Sequence, residues 1–193
     1  MNRKTACIVL FGLTAILFAN CGQKSVPKPY GYFRVDLPAP DYRRIDARSL
    51  PYTFELNKIA VIIRQEKEGE KYWIDINYPR LNANIHCSYK DIKGNLYELS
   101  EESRTMVYRH SVRADGIGEQ AYENPPKQVY GMLYELQGNT ASSAQFILTD
   151  SVKHFFRGAL YFNNVPNSDS IAPVLDYIKK DIRYLIESFE WTK

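Results

Sequence analysis

The residue types that hydrolases use for catalysis lie closest together between Asp150 and Arg157, where Ser151 and His154 follow the carboxylate. A catalytic triad holds its imidazole between a hydroxyl and a carboxylate, and neighbours on one turn and one strand cannot easily surround a single histidine. The Gly-x-Ser-x-Gly motif of the nucleophile elbow does not occur in the sequence. We therefore interpret the stretch as a hairpin turn leading into a buried strand and predict no catalytic residue. A hydrolase centred on His154 and Ser151 is the less favoured alternative.

Metal and cofactor chemistry is not indicated either. His86, His110 and His154 are far apart in the sequence, and no pair of them has a common ligand spacing. The glycines form neither a phosphate loop nor a dinucleotide-binding fingerprint. Cys87 falls on the apolar side of a predicted strand, which is typical of a buried and unreactive thiol. The sequence therefore predicts no metal and no cofactor.

A different chemistry is indicated at Cys21, which follows a short basic start and the apolar run ACIVLFGLTAILFA (6–19). This order of regions is that of a bacterial secretion signal, and the run is shorter than the ~20 residues of a membrane-spanning helix. A cysteine directly after such a run is typical of a lipoprotein that is acylated on that cysteine, although Asn20 is an unusual residue before it. We predict a signal peptide over 1–20 and a lipid anchor on Cys21; the alternative is a secreted protein with a free Cys21.

The remaining chain is nearly neutral and has the composition of one packed domain. The formal charge of the whole chain is +3, and two basic residues are lost with the signal peptide. The remaining basic residues are not clustered, which argues against nucleic acid as a partner. Cys7 is lost with the predicted signal peptide and Cys21 is predicted to be acylated, so Cys87 has no partner for an intramolecular disulfide. Packing of the 15 Tyr, 9 Phe and 2 Trp must therefore stabilise the fold. We expect a tether over 21–29 and one globular domain over 30–193.

Hydrophobic periodicity predicts a sheet and two helices. Apolar residues recur at three- and four-residue spacing over 96–114 and 170–189, which predicts two amphipathic helices. Short turns join most of the predicted strands, which favours antiparallel neighbours. The predicted strands are 52–56, 59–64, 72–78, 83–89, 117–122, 128–136, 144–149 and 154–162. The fold class is thus α+β, an antiparallel sheet of about seven strands covered by two helices, and its element order resembles the Mog1/PsbP-like sandwich.

Several stretches spread along the chain resemble one family of lipoproteins. They are PKPYGYFRVDLP (27–38), INYPRLNANIHCSYK (76–90), VYGMLYELQGNTASSAQFILTDSVKHFFRGALYF (129–162) and the ESFEW end of the last helix (187–191). The third stretch is long and distinctive. On these motifs the sequence is identified as a member of the GldD family, the gliding-motility lipoproteins of the Bacteroidota.

The resemblance implies an envelope lipoprotein that is needed for gliding and linked to the type IX secretion machinery. Its partners would be other gliding or secretion proteins of the envelope, together with the lipid bilayer through acylated Cys21. The family has no established catalytic residues, so none is carried over to this chain. Residues 22–26 lack the acidic run that resembles a surface-export signal, and we therefore expect the domain to face the periplasm.

Two groups of side chains are candidates for the contacts of such a protein. Asp150, His154 and Arg157, together with Gly31 and Tyr32, are predicted to contact a partner. Polar groups in aromatic strands are costly unless they are satisfied, and the alternative is that they are satisfied entirely within the domain. The alternative is a periplasmic module that binds glycan or peptidoglycan through exposed aromatic side chains. The aromatic candidates are Tyr30, Tyr32, Phe33, Tyr42 and Tyr52. The favoured interpretation of these residues is that they pack an irregular N-terminal segment onto the domain.

Overall fold

The computed structural model describes residues 36–46, 48–65, 69, 71–111, 114–163 and 168–192. All of them belong to one compact unit, Phe33–Lys193. The predicted signal peptide and tether, with Cys21, Gly31 and Tyr32, lie outside the described residues. Within the described ranges no helix has the length and apolar character that would let it span a membrane.

Seven strands form the main sheet, and two small sheets complete the strand set. In chain order the strands are β1 (Tyr42–Arg44), β2 (Tyr52–Thr53), β3 (Glu55–Asn57), β4 (Val61–Arg64), β5 (Ile74–Tyr78), β6 (Ala83–Asp91), β7 (Gly116–Asn124), β8 (Val129–Gln137), β9 (Ser142–Thr149), β10 (His154–Phe162) and β11 (Glu190–Trp191). The helices are α1 (Leu96–His110) and α2 (Ser168–Ser188). The main sheet has the order β4-β5-β6-β10-β9-β8-β7, and every neighbouring pair is antiparallel. The predicted α+β fold with a seven-stranded antiparallel sheet and two helices is confirmed.

Helix α2 covers one face of the sheet and closes the main core. Its apolar stripe packs on the residues of β5, β6, β9 and β10 that point to this face. In β6 these are Ala83, Ile85, Cys87 and Tyr89, as the alternation in the sequence predicted. Each Leu or Ile side chain that is fully buried in this way stabilises the fold by about 1.5–3 kcal/mol relative to exposure. The helix stripe consists of Val174, Ile178, Ile182, Leu185 and Ile186.

The predicted strand 52–56 is not part of the main sheet, which corrects the sequence interpretation. It is divided into β2, which pairs with β11, and β3, which pairs with β1. Tyr52 and Phe54 are completely buried and lie with Phe189, after the end of α2, in one aromatic cluster with ring centroids 5.9–6.2 Å apart. Tyr52, Phe54 and Leu56 all lie in the main core, and the short pairings with β11 and β1 hold the two strands there.

Helix α1 packs against the other face of the sheet and is shorter than predicted. It ends at His110 rather than Ala114, and its last turn is closed by Ser111, whose backbone N–H and hydroxyl both donate to the Tyr108 carbonyl. Ala114 still packs beside Val107, but from outside the helix. The helix rests on β8, β9 and β10, and a pocket lies between it and the strands β5, β6 and β10.

Candidate functional site

The pocket beside α1, called here the Arg157 pocket, has a volume of about 390 Å³. Pockets of this size are typical of small-ligand sites. The first half of α1 forms one wall, and strand residues form the floor; all of these except Cys87 point away from the main core. Its lining residues are Gln65, Trp73, Asp75, His86, Cys87, Ser88, Lys90, Leu99, Glu102, Ser103, Met106, Phe155 and Arg157.

The register of the sheet brings the polar groups of this site together. One row crosses the sheet from Asp75 on β5 through His86 on β6 and Ala159 on β10 to Gln145 on β9. Arg157 lies two residues before Ala159 and therefore points to the same face. These residues are remote in the sequence, so only the strand pairing makes them neighbours.

Arg157 is the central cation of the pocket. Its Nη2 donates a hydrogen bond of 2.7 Å to Gln145 Oε1. Among the described residues no carboxylate lies within ion-pair distance of the guanidinium. Burial lowers the pKa of Arg157 below its usual value, but a guanidinium stays charged at neutral pH. Among the described residues the guanidinium thus has no ion-pair partner, and the negative charge of Glu102 acts on it only from a longer distance.

The hydrogen bond from Arg157 to Gln145 leaves the amide nitrogen of Gln145 unsatisfied in the described part of the chain. Its side chain is only 1% exposed, and its Nε2 has no hydrogen-bond partner among the described residues. Arg157 carries only donors, so the amide oxygen of Gln145 has to face it and the amide nitrogen has to face away. An unsatisfied buried donor costs about 1–3 kcal/mol.

Asp75 and His86 form a polar pair on the β5 and β6 side of the pocket. His86 Nδ1 lies 2.7 Å from Asp75 Oδ1, and the other carboxylate oxygen accepts a hydrogen bond from Gln65 Nε2. The imidazole side chain is exposed, whereas the carboxylate is largely covered. Asp75 is therefore already engaged and is not the counter-ion of Arg157.

The rim combines an ion pair with apolar walls. Lys90 Nζ lies 3.0 Å from Glu102 Oε2, so this second carboxylate of the site is also engaged. Trp73 is fixed by a hydrogen bond of 2.9 Å from its Nε1 to the Tyr89 carbonyl, and Phe155 is buried. These rings can pack against an apolar part of a ligand.

The chemistry of this arrangement favours binding. Ser103 donates its hydroxyl hydrogen to the Leu99 carbonyl at 2.9 Å within α1. The Cys87 thiol is buried on the α2 side, and burial raises its pKa well above the usual value, so it stays protonated. In the part of the chain that the structure describes, no His, Cys, Asp and Glu cluster could hold a metal ion. The pocket supplies charge and hydrogen bonds without an activated nucleophile.

Asp150 and His154, two of the predicted contact residues, are engaged in the hairpin between β9 and β10. Asp150 Oδ1 accepts hydrogen bonds from the N–H groups of Val152, Lys153 and His154 at 2.8–2.9 Å. Partial burial alone would raise the pKa of Asp150, but these donors outweigh it and the pKa is lowered. The turn that the sequence predicts at Asp150 and Ser151 is thus present, with Ser151 at φ 67°.

The predicted contact residues do not form one surface. His154 points to the α2 side, where its Nδ1 lies 2.7 Å from the Tyr89 hydroxyl and its ring stacks on Trp191 at 5.0 Å. Arg157 points to the α1 side, because positions three apart in a strand face opposite ways. Gly31 and Tyr32 lie outside the described residues. Contact of these residues with a partner stays a prediction.

The aromatic candidates for sugar stacking include one that is not accessible. Tyr52 is fully buried and donates a hydrogen bond to the Tyr72 carbonyl, so its ring is not available for stacking on a sugar. Tyr42 stacks on Tyr184 at 3.9 Å and donates a hydrogen bond to Asp181. Both rings pack the domain. The other three candidates lie outside the described residues.

Sequence reasoning did not identify the pocket residues Asp75 and His86 as parts of a site, nor Gln145, which binds Arg157 from β9. The alternation of β6 placed His86 on the polar face, which is a usable signal. Nothing local identifies Asp75 or Gln145, since their proximity to His86 and Arg157 results from pairing between strands that are distant in the chain.

Comparison with known proteins assigns the chain to a family. The family model of the gliding motility lipoprotein GldD matches residues 22–191. A comparison with curated proteins found no match. The solution structure of cyanobacterial PsbP (CyanoP) from Synechocystis sp. PCC 6803 is similar at 11% identity with a TM-score of 0.45, over 83% of this chain and 98% of that chain; nothing about function follows from this similarity. Since the family model spans most of the sequence, the chain belongs to the gliding motility lipoprotein GldD family.

Proposed function

We propose that this protein is a lipid-anchored envelope factor that supports gliding motility and type IX secretion by binding other envelope components, without catalysing a reaction. The observation that carries the proposal is the family match over residues 22–191, since a role in gliding motility is what that family implies. Acylation of Cys21 would hold the domain at the membrane, because two or more acyl chains give stable anchoring where one does not. The absence of an acidic run in residues 22–26 favours the periplasmic side.

The chemistry of the Arg157 pocket supports a binding role. Its polar groups are a cation with no ion-pair partner among the described residues, an engaged Asp75–His86 pair and an engaged Lys90–Glu102 pair. Such groups can orient a partner, and covalent catalysis would need an activated hydroxyl or thiol, which neither Ser103 nor Cys87 provides. We therefore place the functional contact on the α1 side of the sheet.

Photo-crosslinking in cells tests this proposal. A photo-reactive p-benzoylphenylalanine replaces Ile63, which is 49% exposed on β4 and pairs with the pocket residue Asp75. The matched control carries the same group at Val152, which is 68% exposed in the β9–β10 turn. Both variants are made with and without Cys21→Ala, so that the contribution of the membrane anchor is measured separately.

We expect gliding or type IX secretion proteins to be recovered from the Ile63 variant, only with intact Cys21, and not from the Val152 variant. Equal recovery from both positions would refute the placement of the contact on the α1 side. Recovery of cell-wall fragments alone would refute the accessory role and favour glycan binding.

A further inference from the structure

We infer that the Arg157 pocket binds a carboxylate group attached to an apolar side chain, as found at the C-terminus of a polypeptide. The inference deepens the proposed function, on which it rests for the biological source of the ligand. The binding itself is independent of the proposed function, because the purified protein must show this binding without other envelope components.

The charge distribution of the pocket points to a negatively charged ligand group. Asp75 is engaged by His86, and Glu102 is engaged by Lys90, so each wall carboxylate already has its partner. Arg157 has five N–H donors, and one of its nitrogens is bonded to Gln145. Leaving a partly buried guanidinium without a counter-ion is unfavourable, and an anionic ligand supplies the missing partner through two parallel hydrogen bonds.

The surroundings favour a carboxylate over a phosphate. The lining has two carboxylates, Asp75 and Glu102, and two cations, Lys90 and Arg157. Lys90 is already paired with Glu102, so a second negative charge on the ligand would find no further cation. A carboxylate carries one charge and matches the planar guanidinium in a bidentate geometry. The apolar walls formed by Trp73, Met106 and Phe155 provide a place for a side chain next to the carboxylate.

The path from the pocket to the sheet edge favours a chain end as the source of the carboxylate. The row that holds His86 and Asp75 continues to Ile63 on β4, an edge strand whose Ile63 and Val61 side chains are exposed on this face. Three strand spacings separate β10 from β4, which is about 14 Å. An extended peptide crosses this distance with about four residues. A peptide bound through its carboxylate would therefore reach an exposed apolar edge.

Isothermal titration calorimetry on the full lipidated chain in detergent tests the inference. The probes are N-acetyl-phenylalanine, its amide, and an N-acetylated tetrapeptide ending in Phe as acid and as amide. Inorganic phosphate is a further probe. Quenching of Trp73 fluorescence is a second readout, because Trp73 lines the pocket.

We expect both acids to bind, each amide to bind at least about tenfold more weakly, and phosphate not to compete. The tetrapeptide acid should bind more tightly than N-acetyl-phenylalanine if the source is a chain end. Equal binding of the two acids would overturn the chain end as source and identify a small organic acid. Equal binding of acid and amide, or no binding of either acid, would overturn the inference.

Two variants link the binding to Arg157. Arg157→Met should lower the affinity for the acid to that for the amide, whereas the control Arg183→Met, on α2 beside Glu135, should leave it unchanged. Full affinity of a folded Arg157→Met protein would overturn the inference. If Arg157→Met does not fold, the acid–amide difference on the unchanged protein decides. Loss of this binding would leave the crosslinking result intact, so the two proposals fail separately.

Discussion

Replacing Gln145 by Leu should have different consequences for stability depending on whether Arg157 is present. With Arg157, the change removes a hydrogen bond to a charged group, worth about 1.5–3 kcal/mol, and also removes the unsatisfied Nε2, which costs about 1–3 kcal/mol. These effects offset each other. We expect Gln145→Leu alone to change the free energy of unfolding by no more than about 1.5 kcal/mol.

In the Arg157→Met background the same change should stabilise the protein. Gln145 is 1% exposed, so without Arg157 both its amide oxygen and its amide nitrogen are buried and unsatisfied. Leu removes both penalties, which together amount to about 2 kcal/mol or more. The methionine itself leaves little cavity, because position 157 lines an existing pocket.

The measurement is urea-induced unfolding of residues 21–193 carrying Cys21→Ala, followed by far-UV circular dichroism at neutral pH. The four proteins of the cycle are compared by linear extrapolation to zero urea. An effect of Gln145→Leu that agrees within about 0.5 kcal/mol in both backgrounds would mean that the positions are not coupled. The geometry described for Arg157 and Gln145 would then be wrong.

Three further predictions concern the fold. Gly131→Ala should destabilise the protein by about 3 kcal/mol or more, because a Cβ there would lie 2.1 Å from the Ile147 carbonyl oxygen in the paired strand. Asp150→Ala should cost about 1–2 kcal/mol through loss of the acceptor of the turn. Burial raises the pKa of Asp181 above its usual value of 3.8, although its hydrogen bonds lower it. The contribution of Asp181 to stability is therefore present below this usual pKa and is lost as the pH rises through the pKa of the folded state. The free energy of unfolding of Asp181→Asn should therefore rise relative to that of the unchanged protein as the pH increases from about 3 to about 7.

Each of these has a matched control in the chain. Gly118→Ala in β7 should be nearly neutral, since the nearest atom to its Cβ would be 3.8 Å away, and an equal loss at Gly118 and Gly131 would contradict the packing argument. The pKa of Asp150 is lowered, so its contribution to stability should disappear as the solution is acidified, the reverse of Asp181. Thermal unfolding over a pH series distinguishes the two carboxylates, and parallel pH profiles would show the assignment to be wrong.

Local pattern was enough for much of the fold. The alternation in β6 identified its buried face, the apolar stripe of α2 identified a helix, and the turn at Asp150 was recognised from its residue types. These features depend on neighbours within a few positions of the chain, where side-chain direction follows from the period of the element. The same rule already places His154 and Arg157 on opposite faces of β10, although the sequence interpretation grouped them.

Which residues come together in the candidate site was decided by the tertiary structure. Asp75, His86, Gln145 and Arg157 meet because β5, β6, β10 and β9 pair in that order with one register. A shift of one residue would move each side chain to the other face. The division of 52–56 between two small sheets was decided in the same way, by the aromatic cluster around Tyr52. The sequence by itself determined the seven strands of the main sheet, the two helices and the family. Strand order and register determined which charges share a pocket, since those contacts are long-range.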